Sequence, residues 1–238
     1  MLTILKREFK SFFHTAVGYV FMGVFLTISS VMFFMVILKQ RSGDLPVFIG
    51  DMSYLWMLLS PVLTMKLLAE DRQKKTDQLL LTSPVSPAGI VAGKYLAAVA
   101  VLGITVLLTM LYAVIVALYG RVWPAELCVC TLGFFLQGCA FTALDLYISG
   151  CCTTPVLAAI LSFGANLTLW MMDLLADSVN IPWLCDILSF LSLYSRNEPF
   201  LMGQLSFAGM IYDLCFVLAF LAAAVFHMNN RRYRGVRS

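Results

Sequence analysis

Side chains able to do covalent chemistry are few in this chain, and they are scattered. Only two histidines, His14 and His227, occur in 238 residues, and neither stands at a spacing from a serine, cysteine or carboxylate that would make a nucleophile and its base. Gly89-Ile-Val-Ala-Gly93-Lys94 looks like a phosphate loop. It has three residues between its glycines where four are required, and Tyr95 stands where the magnesium-binding Ser or Thr belongs. The two glycines read instead as a face for close helix contact. Cys128, Cys130, Cys139 and Cys215 lie inside apolar runs, where cysteine behaves as a small hydrophobe. The adjacent pair Cys151-Cys152 has no histidine or second pair at zinc-ligand spacing. Nothing here supports a hydrolase, a metal enzyme, a disulfide scaffold or a cofactor bound by this chain.

The residues that remain must be read against a lipid-soluble background. Hydrophobic residues make up 61% of the chain and charged ones 12%, with a mean hydropathy of +0.90, against about a quarter charged in soluble domains. This is the composition of an integral membrane protein, and its length accommodates about six spans of roughly 20 residues with no separate soluble domain. Asp145 is then the most deeply placed carboxylate, a position that makes it a functional candidate by default. The reading preferred here is plainer: Asp145 reaches the interface or pairs with Lys94 or Lys66, since a proton path would need further ionisable partners. Asp213 lies near the outer end of the last run. Asn166, mid-span with Thr168, suits hydrogen bonding between helices.

The elements follow in order. Leu2, Leu5, Phe9 and Phe12 fall on one helical stripe flanked by Lys6, Arg7 and Lys10, which predicts an interfacial amphipathic helix over 2–14. Spans are expected at about 16–38, 52–69, 88–120, 126–149, 155–172 and 207–228 of a single 1–238 transmembrane domain, an all-α fold. The first run is too long for a cleavable signal and no small-x-small site follows it. Pro61 interrupts the second span and predicts either a hinge-like kink or a defect repaired by neighbours. The third span outruns the bilayer, so the turns around Lys94 stand in the cytoplasm. The segment 173–206 is placed outside, where Leu184, Ile187, Leu188 and Leu191 predict a short amphipathic helix against the outer face or capping the bundle. With both termini cytoplasmic, twelve of the sixteen Lys and Arg fall inside and only Lys39, Arg41, Arg121 and Arg196 outside, as the positive-inside rule demands.

One long polar stretch, 69–85, separates the second and third apolar runs. Glu70, Asp71, Arg72, Lys74, Lys75 and Asp77 cannot lie in hydrocarbon, so the stretch must project into water. Leu79-Leu80-Leu81 follows directly, and an apolar patch on a wet loop usually belongs to a partner.

This order of elements resembles the permease subunits of ABC-2 type ATP-driven transporters. Leu67-Leu68-Ala69-Glu70-Asp71-Arg72, Thr76 and Leu79-Leu80-Leu81-Thr82-Ser83-Pro84-Val85 look like their first cytoplasmic coupling helix, at about 70–83. Gly18-Tyr19-Val20, Gly93-Lys94 and Arg231-Arg232 extend the likeness, nearest to the gliding-motility-type and nitrous-oxide-accessory-type permeases. Lys75-Thr76, Asp77-Gln78 and Asp145 depart from that pattern. The resemblance implies that Glu70, Asp71, Arg72, Thr76, Leu79, Leu80 and Leu81 dock on a separate ATPase subunit, with Gly150, Cys151, Cys152 and Thr153 as a second cytoplasmic contact. It further implies a cell inner membrane location, a second permease subunit, identical or not, and an extracytoplasmic accessory subunit. ATP and magnesium would sit on the ATPase, the substrate would be hydrophobic or amphipathic, and nucleic acid would have no role. An assembly or scaffold protein without transport activity fits the composition equally well. A secondary transporter should show a midplane charge cluster or an internal repeat, and neither is present.

Overall fold

The computed structural model describes residues 2–39, 44–75, 86–119, 123–178 and 192–235. All described elements are helical: α1 Leu2–His14, α2 Val17–Phe33, α3 Leu45–Thr64, α4 Ala69–Gln73, α5 Pro87–Tyr119, α6 Pro124–Cys151, α7 Pro155–Ser178, α8 Leu193–Leu201 and α9 Phe207–Gly235. A π-helical turn over Phe34–Leu38 lengthens α2. Six of the helices are long and apolar enough to cross a membrane. Prolines open α5, α6 and α7 at the helical positions where a missing N–H costs nothing.

The elements sort by how much of their surface is enclosed. α6 and α3 form the interior, while α2, α7 and α9 leave most of their apolar surface outward. Such faces, with Ile160, Leu218 and Phe226 exposed, would be a liability in water and suit lipid. The interior is aromatic. Trp56 on α3 lies 4.9 Å from the Phe25 ring and 4.8 Å from that of Phe134, and its indole donates to the Phe134 carbonyl at 3.1 Å. Gly138 leaves the room this requires, because a Cβ there would stand 3.0 Å from both Trp56 and Leu102.

α1 packs against α5 and α2. Phe12 is buried and Leu5 and Phe9 half-buried, while Lys6, Arg7 and Lys10 are exposed, so the stripe faces protein. Ala16, in the left-handed region with φ of 58°, makes the sharp turn into α2. Helix α3 begins at Leu45, ahead of the run expected from Met52, and carries Asp51 within it.

The segment 173–206, expected outside, holds more helical structure than the sequence suggested. Leu184, Ile187, Leu188 and Leu191 lie outside the described residues, but α7 continues through Ser178 and α8 enters the bundle. Tyr194, near the start of α8, meets Phe141 of α6 at 5.9 Å. Further along, the Cys130 thiol donates to the Phe200 carbonyl at 3.0 Å. A Cβ on Gly203 would fall 2.8 Å from the Glu126 side chain. α8 and the turn that follows it therefore run antiparallel to α6, from deep in the bundle toward its rim, with α8 itself about 13 Å long at 1.5 Å per residue. Close packing holds it: the Phe200 ring fits between Gly133 and Gly209, where a Cβ would come to 2.6 and 2.8 Å. Its N-terminus is closed by Ser192, whose hydroxyl accepts from the Ser195 N–H. The polar composition Tyr-Ser-Arg-Asn-Glu-Pro hides such a helix from any hydropathy reading.

Candidate functional site

The candidate site lies where α3 stops. After Thr64 the chain makes a turn over 65–68 before restarting as α4. Ser149, buried near the end of α6, satisfies this break. Its hydroxyl accepts from the Leu68 and Ala69 N–H groups at 3.4 and 3.2 Å and donates to the Met65 carbonyl at 3.3 Å.

Arg72 then ties α4 to the link between α6 and α7. Its Nη1 donates to the carbonyls of Gly150, Cys151 and Cys152 at 3.2, 2.7 and 2.7 Å. These carbonyls end helix α6, where a cation is doubly favoured by unspent acceptors and by the helix dipole. Two groups of residues far apart in sequence are thus one structure: Glu70, Asp71 and Arg72 on one side, Gly150, Cys151 and Cys152 on the other, with Thr153 exposed beside them. Cys151 is exposed and Cys152 buried, both as free thiols. Burial pushes the Cys152 thiol above its ordinary range, the neighbouring Cys151 adds to this, and Arg72 opposes both.

Lys94 fastens the same joint to α5. The residue is 1% exposed, and its ammonium lies 2.6 Å from Asp71 Oδ2 and 3.3 Å from Glu8 Oε1. It also donates to the Leu67 carbonyl at 2.5 Å. One buried cation therefore joins α1, the α3–α4 turn, α4 and α5, by hydrogen bonds to Glu8 and the Leu67 carbonyl and an ion pair with Asp71. Sequence reasoning placed Lys94 near the cytoplasmic face without anticipating this role; the pairing of Gly93 with Lys94 on an otherwise apolar helix was the available signal. Outside the joint, Glu70 and Lys74 make an exposed i,i+4 pair at 2.6 Å. The hydrogen bond that Lys74 donates to Glu70, followed by the Glu70 charge, raises the Lys74 pKa. Thr76, Leu79, Leu80 and Leu81 lie outside the described residues.

Asp145 does not pair with Lys94 or Lys66, nor does it reach the interface. It is 0% exposed and accepts from the Ser60 hydroxyl at 2.5 Å, and no cation contacts it among the described residues. Asn166 of α7 completes the arrangement, donating to Ser60 Oγ at 3.3 Å and to the Met57 carbonyl at 3.4 Å. The second bond explains Pro61. Proline lacks the N–H that would bond the carbonyl four residues earlier, which is that of Met57, and Asn166 supplies the donor from a neighbouring helix. α3 runs on through Pro61 to Thr64, so the defect is repaired across the α3–α7 contact. Lys94 and Lys66 lie nearer the helix end, and Lys94 is already held by nearer acids; Asp145 is left to neutral donors.

Among known proteins, the family model for ABC-2 family transporter proteins matches residues 47–195. No curated protein matches the chain.

Proposed function

The chain belongs to the ABC-2 transporter family, and from that premise we propose that it is the permease subunit of an ATP-driven exporter, coupled to a separate ATPase through the joint built on Arg72. In this reading α4 and the 76–85 segment dock on the ATPase, with Leu79 to Leu81 buried against it and the charges at the rim. ATP-driven closure of the partner presses on α4. Arg72 passes the displacement to the end of α6, and Lys94 passes it to α5, so three helices move together. The observation that carries this is the grip of Arg72 Nη1 on three carbonyls, which share its two N–H groups; charge-assisted hydrogen bonds are worth roughly 1.5–3 kcal/mol and resist shear at a helix break.

The chain itself contributes no hydrolysis; ATP and magnesium belong to the ATPase. Two permease subunits, identical or not, form the pore, with both termini and the Arg72 joint on the cytoplasmic side of the cell inner membrane. The lipid-facing apolar helices favour a hydrophobic or amphipathic substrate. An extracytoplasmic accessory subunit and the gliding-motility-type subgroup belong to the same proposal.

Leu80→Asp tests docking. The variant permease should still be found in the membrane while the ATPase no longer co-purifies with it; unchanged co-purification removes Leu79 to Leu81 from the interface.

A further inference from the structure

At the opposite end of α3 from α4, a cavity of about 510 Å³ lies between α3, α6 and α8. This is within the usual size of small-molecule sites. Two carboxylates line it, Asp51 and Glu198, and among the described residues no lysine, arginine or histidine does. Neither acid makes an ion pair among the described residues. The nearest cation on α8, Arg196, is turned away, with its guanidinium 5.4 Å from the Tyr212 ring. A wall of the cavity is aromatic: the Tyr54 and Tyr194 rings stack at 5.3 Å.

Two buried amides in the lining have hydrogen-bonding capacity to spare. Gln137 is 1% exposed and its Nε2 has no partner; Asn197 is 4% exposed and its Oδ1 has none. A buried amide left unpaired is destabilising, by roughly 1–3 kcal/mol in protein mutational data, and beside a cavity a bound group can satisfy it. The two amides differ in what they lack: Gln137 has a donor to give and Asn197 an acceptor. The N-terminus of α8, which would favour an anion, is already closed by Ser192.

We infer that this cavity binds an amine-bearing amphiphile, a protonated amine held by Asp51, Glu198 and the Asn197 carbonyl, with a neighbouring oxygen accepting from Gln137 and an apolar body against the tyrosines. Cations are attracted to aromatic faces as well as to carboxylates, so the wall and the acids select the same charge. A metal ion is disfavoured, because no group of three His, Cys, Asp or Glu could hold one among the described residues. As a substrate site the assignment rests on the exporter reading; as a binding site it does not.

The test uses the full chain with its co-purified ATPase in lipid nanodiscs, titrated calorimetrically with 2-phenoxyethylamine. Neutral 2-phenoxyethanol and anionic phenoxyacetate serve as matched controls. The amine should bind, with each control at least about tenfold weaker, a difference of about 1.4 kcal/mol. Glu198→Gln, at an exposed position, should weaken the amine by roughly the same factor, and Asp51→Asn likewise. Equal binding of the alcohol, preference for the carboxylate, no binding of the amine, or affinity unchanged in both variants overturns the assignment. ATPase co-purification should be the same with Glu198→Gln as with the unaltered chain, so failure here leaves the coupling reading standing, and failure of Leu80→Asp leaves this one.

Discussion

The two ends of α3 are both polar and are built in opposite ways. At the α4 end, Lys94, Arg72 and Ser149 direct their donors to named acceptors, and the helices meeting there are bound to one another. At the other end Gln137 and Asn197 are as well buried yet keep polar atoms unpaired beside an open cavity. Convergent donors suit a joint that carries force, because any displacement must break several bonds at once. Incomplete pairing makes a place where something else must arrive. In the proposed reading the same side-chain chemistry serves transmission at one end and reception at the other, and the apolar interior around Trp56 separates them.

The contrast can be broken most sharply at Lys94. Lys94→Met removes the cation and leaves Asp71 and Glu8 partly buried without it, and deleting one partner of a buried pair costs roughly 3–5 kcal/mol. Thermal unfolding of the purified permease should fall accordingly, and adding Asp71→Asn should recover part of the loss; additive effects would show that the pair is not coupled. A smaller loss belongs to Asn166→Leu, which leaves the Met57 carbonyl bare opposite Pro61 and should cost about 1–3 kcal/mol, measured by the same unfolding. The smallest effect sharpens the comparison from the other side. Gln137→Met removes a donor that has no partner, so stability should be unchanged or slightly raised while 2-phenoxyethylamine binding weakens; clear destabilisation would mean that Gln137 is a structural group.

Much of the architecture was legible because it is written in hydropathy. A run without charge between Ala16 and Leu38, or with the single acid Asp213 between Phe207 and Met228, leaves few alternatives to a span. The polar stretch from Glu70 also declared itself, since six charges cannot lie in hydrocarbon. What remained hidden was pairing. Nothing in the spacing of Arg72 and Gly150 says that they meet, and Asp145 looked like a partner for Lys94 because charge suggests charge. The structure gives Lys94 to Asp71 and Glu8, and gives Asp145 to Ser60. α8 was hidden for a related reason: Ser195, Arg196, Asn197 and Glu198 read as a wet loop when taken singly, and only the glycines at 133 and 209 reveal how Phe200 is received. The span expected from Met52 leaves out Asp51, which sits within α3 and lines the cavity.

The central claim is that Arg72 transmits the ATPase's motion into the bundle, and acceleration of ATP hydrolysis by the permease tests it most directly. With Arg72→Ala reconstituted in bilayers beside its ATPase, the two proteins should still co-purify while the acceleration is lost. Acceleration equal to that of the unaltered chain would contradict the account.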